Sequence, residues 1–175
     1  MRESRAMTRA KSILILVTGG TFDKDYDEIH GSLDFGETHV PQMLELGRCR
    51  LEVEVRKLYL MDSLEMTDEH RERILAECRA AEAGKIVITH GTDTMVRTGE
   101  HLARGLAGLG KTVVLTGAMI PFAFGSSDGL FNLGSALSFA QALPEGVYVA
   151  MNGRVFPWDN CRKNRELGIF EPLRD

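Results

Sequence analysis

The sequence contains no hydrophobic run long enough to cross a membrane as a helix. The apolar stretch near its start, Ile13–Val17, is far shorter than the ~18 residues that a spanning helix needs. Gly19-Gly20 follows it closely, without the small-residue cleavage site of a signal peptide. A cytoplasmic protein with no membrane partner is therefore expected.

The sequence also has few cysteines and no excess of basic residues. Cys49, Cys78 and Cys161 are odd in number and lack CxxC spacing, so neither a disulfide framework nor a zinc site is indicated. The 21 Lys and Arg stand against 25 Asp and Glu, giving a net charge of −4. Nucleic-acid binding depends on cationic side chains that neutralise phosphates, so no nucleic-acid partner is expected. No GxGxxG pattern signals a dinucleotide site.

What the chain does contain is an alternation of short buried runs and longer amphipathic stretches. Its 175 residues suit one globular domain, predicted over residues 13–175 after a polar, basic and disordered extension at residues 1–12. Apolar runs predict strands at Ile13–Val17, Leu51–Leu60, Ile86–Thr89, Val113–Thr116 and Val147–Met151. Helical periodicity predicts helices at about 41–46, 68–81, 94–109 and 128–142, the second capped by Thr67, with Leu109 and Leu130 among the inward residues. This order predicts an α/β fold: an open, mostly parallel sheet flanked by helices, a flavodoxin- or Rossmann-like three-layer arrangement.

Glycine turns bearing hydroxyl groups follow several of these strands. Thr18-Gly19-Gly20-Thr21 follows the first, His90-Gly91-Thr92-Asp93-Thr94 the third, and Thr116-Gly117-Ala118-Met119 the fourth. Parallel strands place their carboxyl ends at one edge, where open α/β sheets bind ligands. A threonine hydroxyl could attack a carbonyl there, with backbone N–H groups holding the oxyanion. Each motif taken alone also fits an ordinary turn or helix cap.

These motifs resemble the bacterial-type L-asparaginase/glutaminase family, through its amino-terminal domain. Thr18-Gly19-Gly20-Thr21 resembles one family signature, and His90-Gly91-Thr92-Asp93-Thr94-Met95 resembles the other. Supporting similarity runs through Asp62–Thr67, Thr116–Pro121, Ser127–Gly129 with Asn132-Leu133, and a last strand leading to Lys163. The resemblance spans about Ile13 to Phe170 and suggests a short, single-domain member.

The resemblance implies roles for particular residues. Thr21 would be the nucleophile, Thr92, Asp93 and Lys163 a second catalytic group, and Tyr26 a lid residue that orients Thr21. Substrate contacts would come from Ser63 and Asp62 to the α-carboxylate region, Asp93 to the α-ammonium, and Thr92, Ala118 and Gly20 around the amide.

Several positions have plain structural alternatives. Lys163 lies in Arg162-Lys163-Asn164-Arg165, which by itself is typical of a solvated basic turn, and Tyr26 could be an exposed loop tyrosine. His90 is interpreted as a structural histidine rather than a general base. His39 and His70 lack partners at metal-binding spacing, so no metal or other cofactor is implied.

The expected activity is hydrolysis of L-asparagine to L-aspartate and ammonia, by a homodimer or homotetramer such as the family forms. Leu64 stands where many relatives carry glutamine, which predicts weak glutaminase activity at most. Two-domain relatives continue with a second domain that supplies an acidic group to a neighbouring site, whereas this sequence ends at Asp175. The alternative function is an amino-acid-binding or sensing domain with little catalytic activity.

Overall fold

The structure is a computed structural model that describes residues 12–174. The predicted disordered extension lies outside these residues, apart from Ser12. The strands in chain order are β1 (Ile13–Gly19), β2 (Lys24–Asp27), β3 (Ser32–Phe35), β4 (Val53–Met61), β5 (Lys85–Thr89), β6 (Thr112–Thr116), β7 (Gly146–Met151), β8 (Arg154–Pro157), β9 (Arg162–Asn164) and β10 (Ile169–Glu171).

The α-helices occupy the stretches between the central strands. They are α1 (Val40–Leu46), α2 (Asp68–Ala80), α3 (Met95–Leu106) and α4 (Gly129–Ala142). Thr67 caps α2 as predicted: its backbone N–H donates to His70 Nδ1 at 3.0 Å, and its hydroxyl accepts from the His70 N–H at 3.4 Å. Within residues 12–174, no helix combines the length and apolarity needed to span a bilayer.

The central sheet has the strand order β4-β1-β5-β6-β7-β8. All neighbouring pairs from β4 to β7 are parallel, and only β8 is antiparallel to its neighbour. The carboxyl ends of β1, β4, β5 and β6 therefore meet at one edge, which confirms the predicted placement of the glycine turns.

Both faces of the sheet are covered, which explains why its strands are apolar runs rather than alternating patterns. Leu14 and Leu16 of β1 pack into a core with Ile74 of α2 and Leu102 of α3. The intervening residues of β1 pack into a second core with α1 and α4: Ile13, Ile15 and Val17. The result is the expected three-layer α/β fold.

Two predictions about buried leucines were wrong. The third helix ends at Leu106, and Leu109 is 51% exposed, because Gly108 adopts a left-handed φ of 73° that turns the chain outward. Leu130 is 38% exposed, because it lies in the first turn of α4 beside Gly47, at the rim of the short helix α1 rather than under it.

Two smaller features, both hairpins, were not predicted from the sequence. The hairpin of β2 and β3 follows the first glycine turn, and the hairpin of β9 and β10 follows the antiparallel edge strand β8. Both hairpins are short and rich in charged residues, so they lack the apolar alternation that marks a strand. They flank the glycine-turn edge and supply side chains to it.

Candidate active site

The turn after β1 is pressed against the turn after β5. Gly20 has a left-handed φ of 77°, and a Cβ placed on it would lie 2.4 Å from the backbone N and Cα of Gly91. Only glycine therefore fits at this contact. The Gly20 N–H also donates to the carbonyl of Met61, at the end of β4, over 2.9 Å. The double-glycine turn thus holds the carboxyl ends of β1, β4 and β5 close together.

Ser63 connects the β4 turn to the β5 turn. The side chain is buried, and its Oγ accepts a hydrogen bond from the Thr94 N–H at 3.3 Å. The Thr94 hydroxyl donates to the Ser63 carbonyl at 2.9 Å. A Cβ on Gly91 would lie 2.6 Å from the Ser63 side chain, so glycine is needed here as well. The predicted serine is thereby held beside the second glycine turn.

Lys163 reaches this edge from β9 and joins two of the predicted catalytic residues. Its ammonium donates to the Thr92 hydroxyl oxygen at 2.7 Å and to Asp93 Oδ1 at 2.9 Å. The Lys163 side chain is 13% exposed, so it does not belong to the solvated basic turn that its sequence neighbours suggest. Arg165 contacts the same Asp93 oxygen at 3.3 Å.

Thr21 begins the short helical turn Thr21–Asp23 directly after Gly20. The next residue, Phe22, is fully buried in the core with α1 and α4, which fixes the turn. Within residues 12–174 no hydrogen bond engages the Thr21 hydroxyl. Thr21 is therefore half-buried at the edge with its hydroxyl uncommitted.

The predicted lid residue makes no hydrogen bond to Thr21 in the described part of the chain. Tyr26 lies on β2 opposite Leu33 and is 55% exposed. Tyr26 is exposed, as in the alternative of an exposed loop tyrosine, although it lies on a strand, and its lid role stays a prediction.

Asp62 is tied to a lysine that the sequence did not single out. Lys24 Nζ donates to Asp62 Oδ2 at 2.8 Å, and the Leu64 N–H donates to the other carboxylate oxygen at 3.0 Å. The hydrogen bond from Lys24, followed by that from Leu64, lowers the pKa of Asp62 below its usual value. Lys24 is one cation within an acidic hairpin, so only its place three residues after Thr21 could have drawn attention to it.

Ala118 follows β6 and is buried in the core with α1 and α4, with its backbone at the same edge. The turn around it is fixed from α4: the Asn132 side-chain amide donates to the Gly117 carbonyl at 2.8 Å. The Asp128 carboxylate accepts from the Met119 N–H at 3.0 Å. These bonds keep the β6 turn in place beside the β5 turn.

His90 lies behind the site rather than in it. Its ring is fully buried, with Nε2 2.8 Å from the Thr98 hydroxyl and Nδ1 2.7 Å from the Gly91 carbonyl. Burial is the main cause that lowers the pKa of His90 to about 4. The buried guanidinium of Arg71 donates to Thr98 at 3.1 Å and to Thr94 at 3.1 Å, which extends this network. The structural interpretation of His90 fits this environment.

No cluster of three or more His, Cys, Asp or Glu side chains among residues 12–174 has an arrangement suited to a metal ion. The edge instead holds hydroxyl groups, carboxylates and amines: Thr21, Thr92, Ser63, Asp62, Asp93, Lys24 and Lys163. Such a set can bind a small zwitterion, supply a nucleophile and move a proton.

Known proteins resemble this chain in sequence and in fold. The family model described as Asparaginase, N-terminal matches residues 12–169. L-asparaginase 1 of Escherichia coli is 35% identical over 172 residues, covering 91% of this chain and 49% of that protein. The L-asparaginase of Thermococcus kodakarensis is 31% identical over 160 residues, covering 90% of this chain and 49% of its own length.

A solved structure of L-asparaginase I from Vibrio cholerae superposes with a TM-score of 0.81 at 29% identity, covering 93% of this chain and 51% of that one. The chain spans about half the length of the curated relatives it matches.

Proposed function

The chain belongs to the asparaginase family by its match to the N-terminal domain, and on this premise we propose that it hydrolyses the side-chain amide of L-asparagine to L-aspartate and ammonia. The observation that carries the proposal is the contact of Lys163 with Thr92 at 2.7 Å and with Asp93 at 2.9 Å, at the sheet edge that carries Thr21. A lysine so little exposed, bonded to a hydroxyl beside a second, uncommitted hydroxyl, is an arrangement suited to nucleophilic catalysis.

The first half of the reaction forms an ester and releases ammonia. The Thr21 oxygen attacks the amide carbon of the substrate, its proton passes to a neighbouring base, and a tetrahedral oxyanion forms. Backbone N–H groups of the glycine turns stabilise the oxyanion. The C–N bond then breaks, and the departing nitrogen takes up a proton to leave as ammonia.

The second half returns the enzyme to its starting state. Thr92 orients a water molecule, and Lys163 relays its proton through the 2.7 Å contact, giving up one proton towards the Thr21 oxygen as it takes one from the water. The water oxygen bonds to the ester carbon, the bond to the Thr21 oxygen breaks, and Thr21 regains its proton. The product is the side-chain carboxylate of aspartate.

Substrate binding is assigned to the charged groups at the edge. Ser63 and the region around Asp62 hold the α-carboxylate, Asp93 pairs with the α-ammonium, and the backbones of Gly20 and Ala118 line the amide. The known relatives carry the names L-asparaginase 1 and L-asparaginase, which supports this substrate class. We also propose that the protein is cytoplasmic and forms a homodimer or homotetramer. Tyr26 is proposed to act as a lid residue.

The competing function is amino-acid binding or sensing without turnover. Incubating the purified chain with L-asparagine, and measuring ammonia and aspartate separately, distinguishes the two. The proposal predicts that the two products appear in equal amounts. Calorimetric binding of asparagine with no ammonia above the rate without protein would contradict hydrolysis and favour the sensing function.

A further inference from the structure

Cationic side chains already contact the two carboxylates that are predicted to bind substrate. Three cationic side chains contact two carboxylates at the edge: Lys24 lies 2.8 Å from Asp62, while Lys163 and Arg165 lie 2.9 Å and 3.3 Å from Asp93. Both of the latter contacts are made to one atom, Asp93 Oδ1. A carboxylate that binds two cations through one oxygen attracts a third cation less strongly.

The two cations on Asp93 differ in their surroundings. The Lys163 side chain is 13% exposed and also bonds to Thr92, so it is part of the interior of the site. The Arg165 side chain is 65% exposed, and Asp93 itself is 29% exposed. Arg165 therefore approaches Asp93 from the solvent side, from which a ligand would arrive.

The backbone that carries Arg165 is held in place. Arg165 lies in the turn between β9 and β10, where the Asn164 side-chain oxygen accepts hydrogen bonds from the N–H groups of Glu166 and Leu167, each at 3.1 Å. The turn is fixed while the guanidinium remains exposed. Arg165 is thus anchored close to Asp93 and remains able to move with a ligand.

These contacts bear on the substrate, on the basis of the proposed function. We infer that Arg165 is a specificity-determining residue: it competes with the α-ammonium of the substrate for Asp93. The ammonium has to displace the guanidinium or lie beside it, and the two cations repel each other. The site consequently discriminates weakly between amino acids and the corresponding dicarboxylic compounds that lack the amino group, such as succinate and its monoamide.

Binding of L-aspartate and succinate tests this inference, because the two ligands differ only in the amino group. Dissociation constants for both are measured by calorimetry on the parent chain, Arg165→Gln and Arg162→Gln. Arg162 is the matched control: it is 61% exposed, lies on β9 and pairs with Glu171 at 2.8 Å. Each variant removes one positive charge, but only Arg165 contacts Asp93, so a shift seen with Arg165→Gln alone reports that contact.

Arg165→Gln is expected to raise the preference for aspartate over succinate about three- to fivefold, as befits an exposed ion pair. Arg162→Gln is expected to leave this preference unchanged, and Arg165→Lys to keep the parent value. In turnover, the Arg165→Gln effect falls on KM for asparagine rather than on kcat. If Arg165→Gln changes the dissociation constants of aspartate and succinate by the same factor, or changes neither, the inference is overturned.

The binding experiment separates this inference from the proposed function. If no variant releases ammonia but Arg165→Gln still shifts the aspartate preference, the hydrolase proposal fails and the role of Arg165 stands. If asparagine is hydrolysed and the preference does not shift, the hydrolase proposal stands and the role of Arg165 fails.

Discussion

Lys163 and Thr92 are 71 positions apart in the sequence, yet the Lys163 ammonium lies 2.7 Å from the Thr92 hydroxyl. The contact joins the β9–β10 hairpin, outside the main sheet, to the turn that follows β5. The Lys163 side chain is shielded from solvent there, with Asp93 as its counter-charge. This contact turns a basic stretch of sequence into part of a candidate catalytic group.

Replacing Lys163 with methionine should remove most of the activity. Methionine keeps the apolar stem but cannot donate or relay a proton, so kcat is expected to fall by a factor on the order of a hundred or more. Binding of aspartate should remain measurable by calorimetry. Lys57→Met serves as the control, since Lys57 is 45% exposed and pairs with Glu37 on the surface. Equal activity in Lys163→Met and Lys57→Met would place Lys163 outside the chemistry.

Asparagine should be preferred over glutamine by at least about tenfold in kcat/KM, because a single methylene already changes transition-state binding by about 1–3 kcal/mol. Leu64 follows the β4 turn and is 65% exposed, so Leu64→Gln adds a polar contact without disturbing the core. This variant should narrow the gap, whereas Leu46→Gln, at an exposed position on α1, should not. Ammonia release from both substrates measures the ratio. Comparable efficiencies in the parent chain would contradict the expected pocket shape.

His90 should make stability depend on pH. Its pKa is about 4 in the folded chain and about 6.5 when unfolded, so the folded state binds fewer protons between these values. Neutral His90 therefore contributes about 3 kcal/mol to the free energy of unfolding above pH 6.5, and this contribution is lost as the pH falls towards 4. Urea unfolding between pH 7 and 4.5 measures the loss. The ring resonances of His90 give an independent check, and titration near pH 6.5 in the folded protein would refute the prediction.

Asp23 should reduce stability at neutral pH. It is buried two residues after Thr21, where Oδ1 accepts from the Thr38 hydroxyl and the His39 N–H, while Oδ2 has no hydrogen-bond partner in the described residues. Burial is the main cause that raises the pKa of Asp23. The folded state therefore favours the protonated carboxyl of Asp23. The contribution of this group to the free energy of unfolding is lost as the pH rises through its folded-state pKa.

Asp23→Asn keeps the accepting oxygen and removes the charge, so it should stabilise the fold at pH 7 by about 1 kcal/mol. The gain should disappear at a pH below the unfolded-state pKa, where Asp23 is already protonated. Asp34→Asn, at an exposed position on β3, is the control. Denaturant unfolding at both pH values measures the difference. A destabilised Asp23→Asn at pH 7 would show that the ionised carboxylate is needed.

The order of the central elements could be predicted from the sequence because these elements are buried. Ile13–Val17 is apolar throughout because Leu14 and Ile15 face different helix layers, and such runs indicate a parallel sheet. The cap at Thr67 could also be predicted, since the acidic first turn of α2 follows it directly. The positions of the glycine turns follow from these elements.

The contacts across the site could not be predicted in the same way. Lys24 with Asp62 and Arg165 with Asp93 depend on where two short hairpins lie, and both hairpins are too polar to show a strand pattern. Leu109 illustrates the same limit beyond the end of α3, because the turn at Gly108 exposes it although the apolar spacing of the helix continues to this position. Local patterns report burial, whereas these contacts are set by tertiary placement.

The most direct test of the proposed hydrolysis is the turnover of asparagine by variants of Thr21. Thr21→Val preserves the shape of the side chain and removes the hydroxyl, while Thr21→Ser keeps a hydroxyl in the same turn. Ammonia release is followed for both variants and the parent chain, with circular dichroism and aspartate binding as checks on folding. A nucleophilic role for Thr21 predicts a loss of about a thousandfold or more in Thr21→Val and substantial activity in Thr21→Ser. Near-parent turnover in a folded Thr21→Val protein would contradict it.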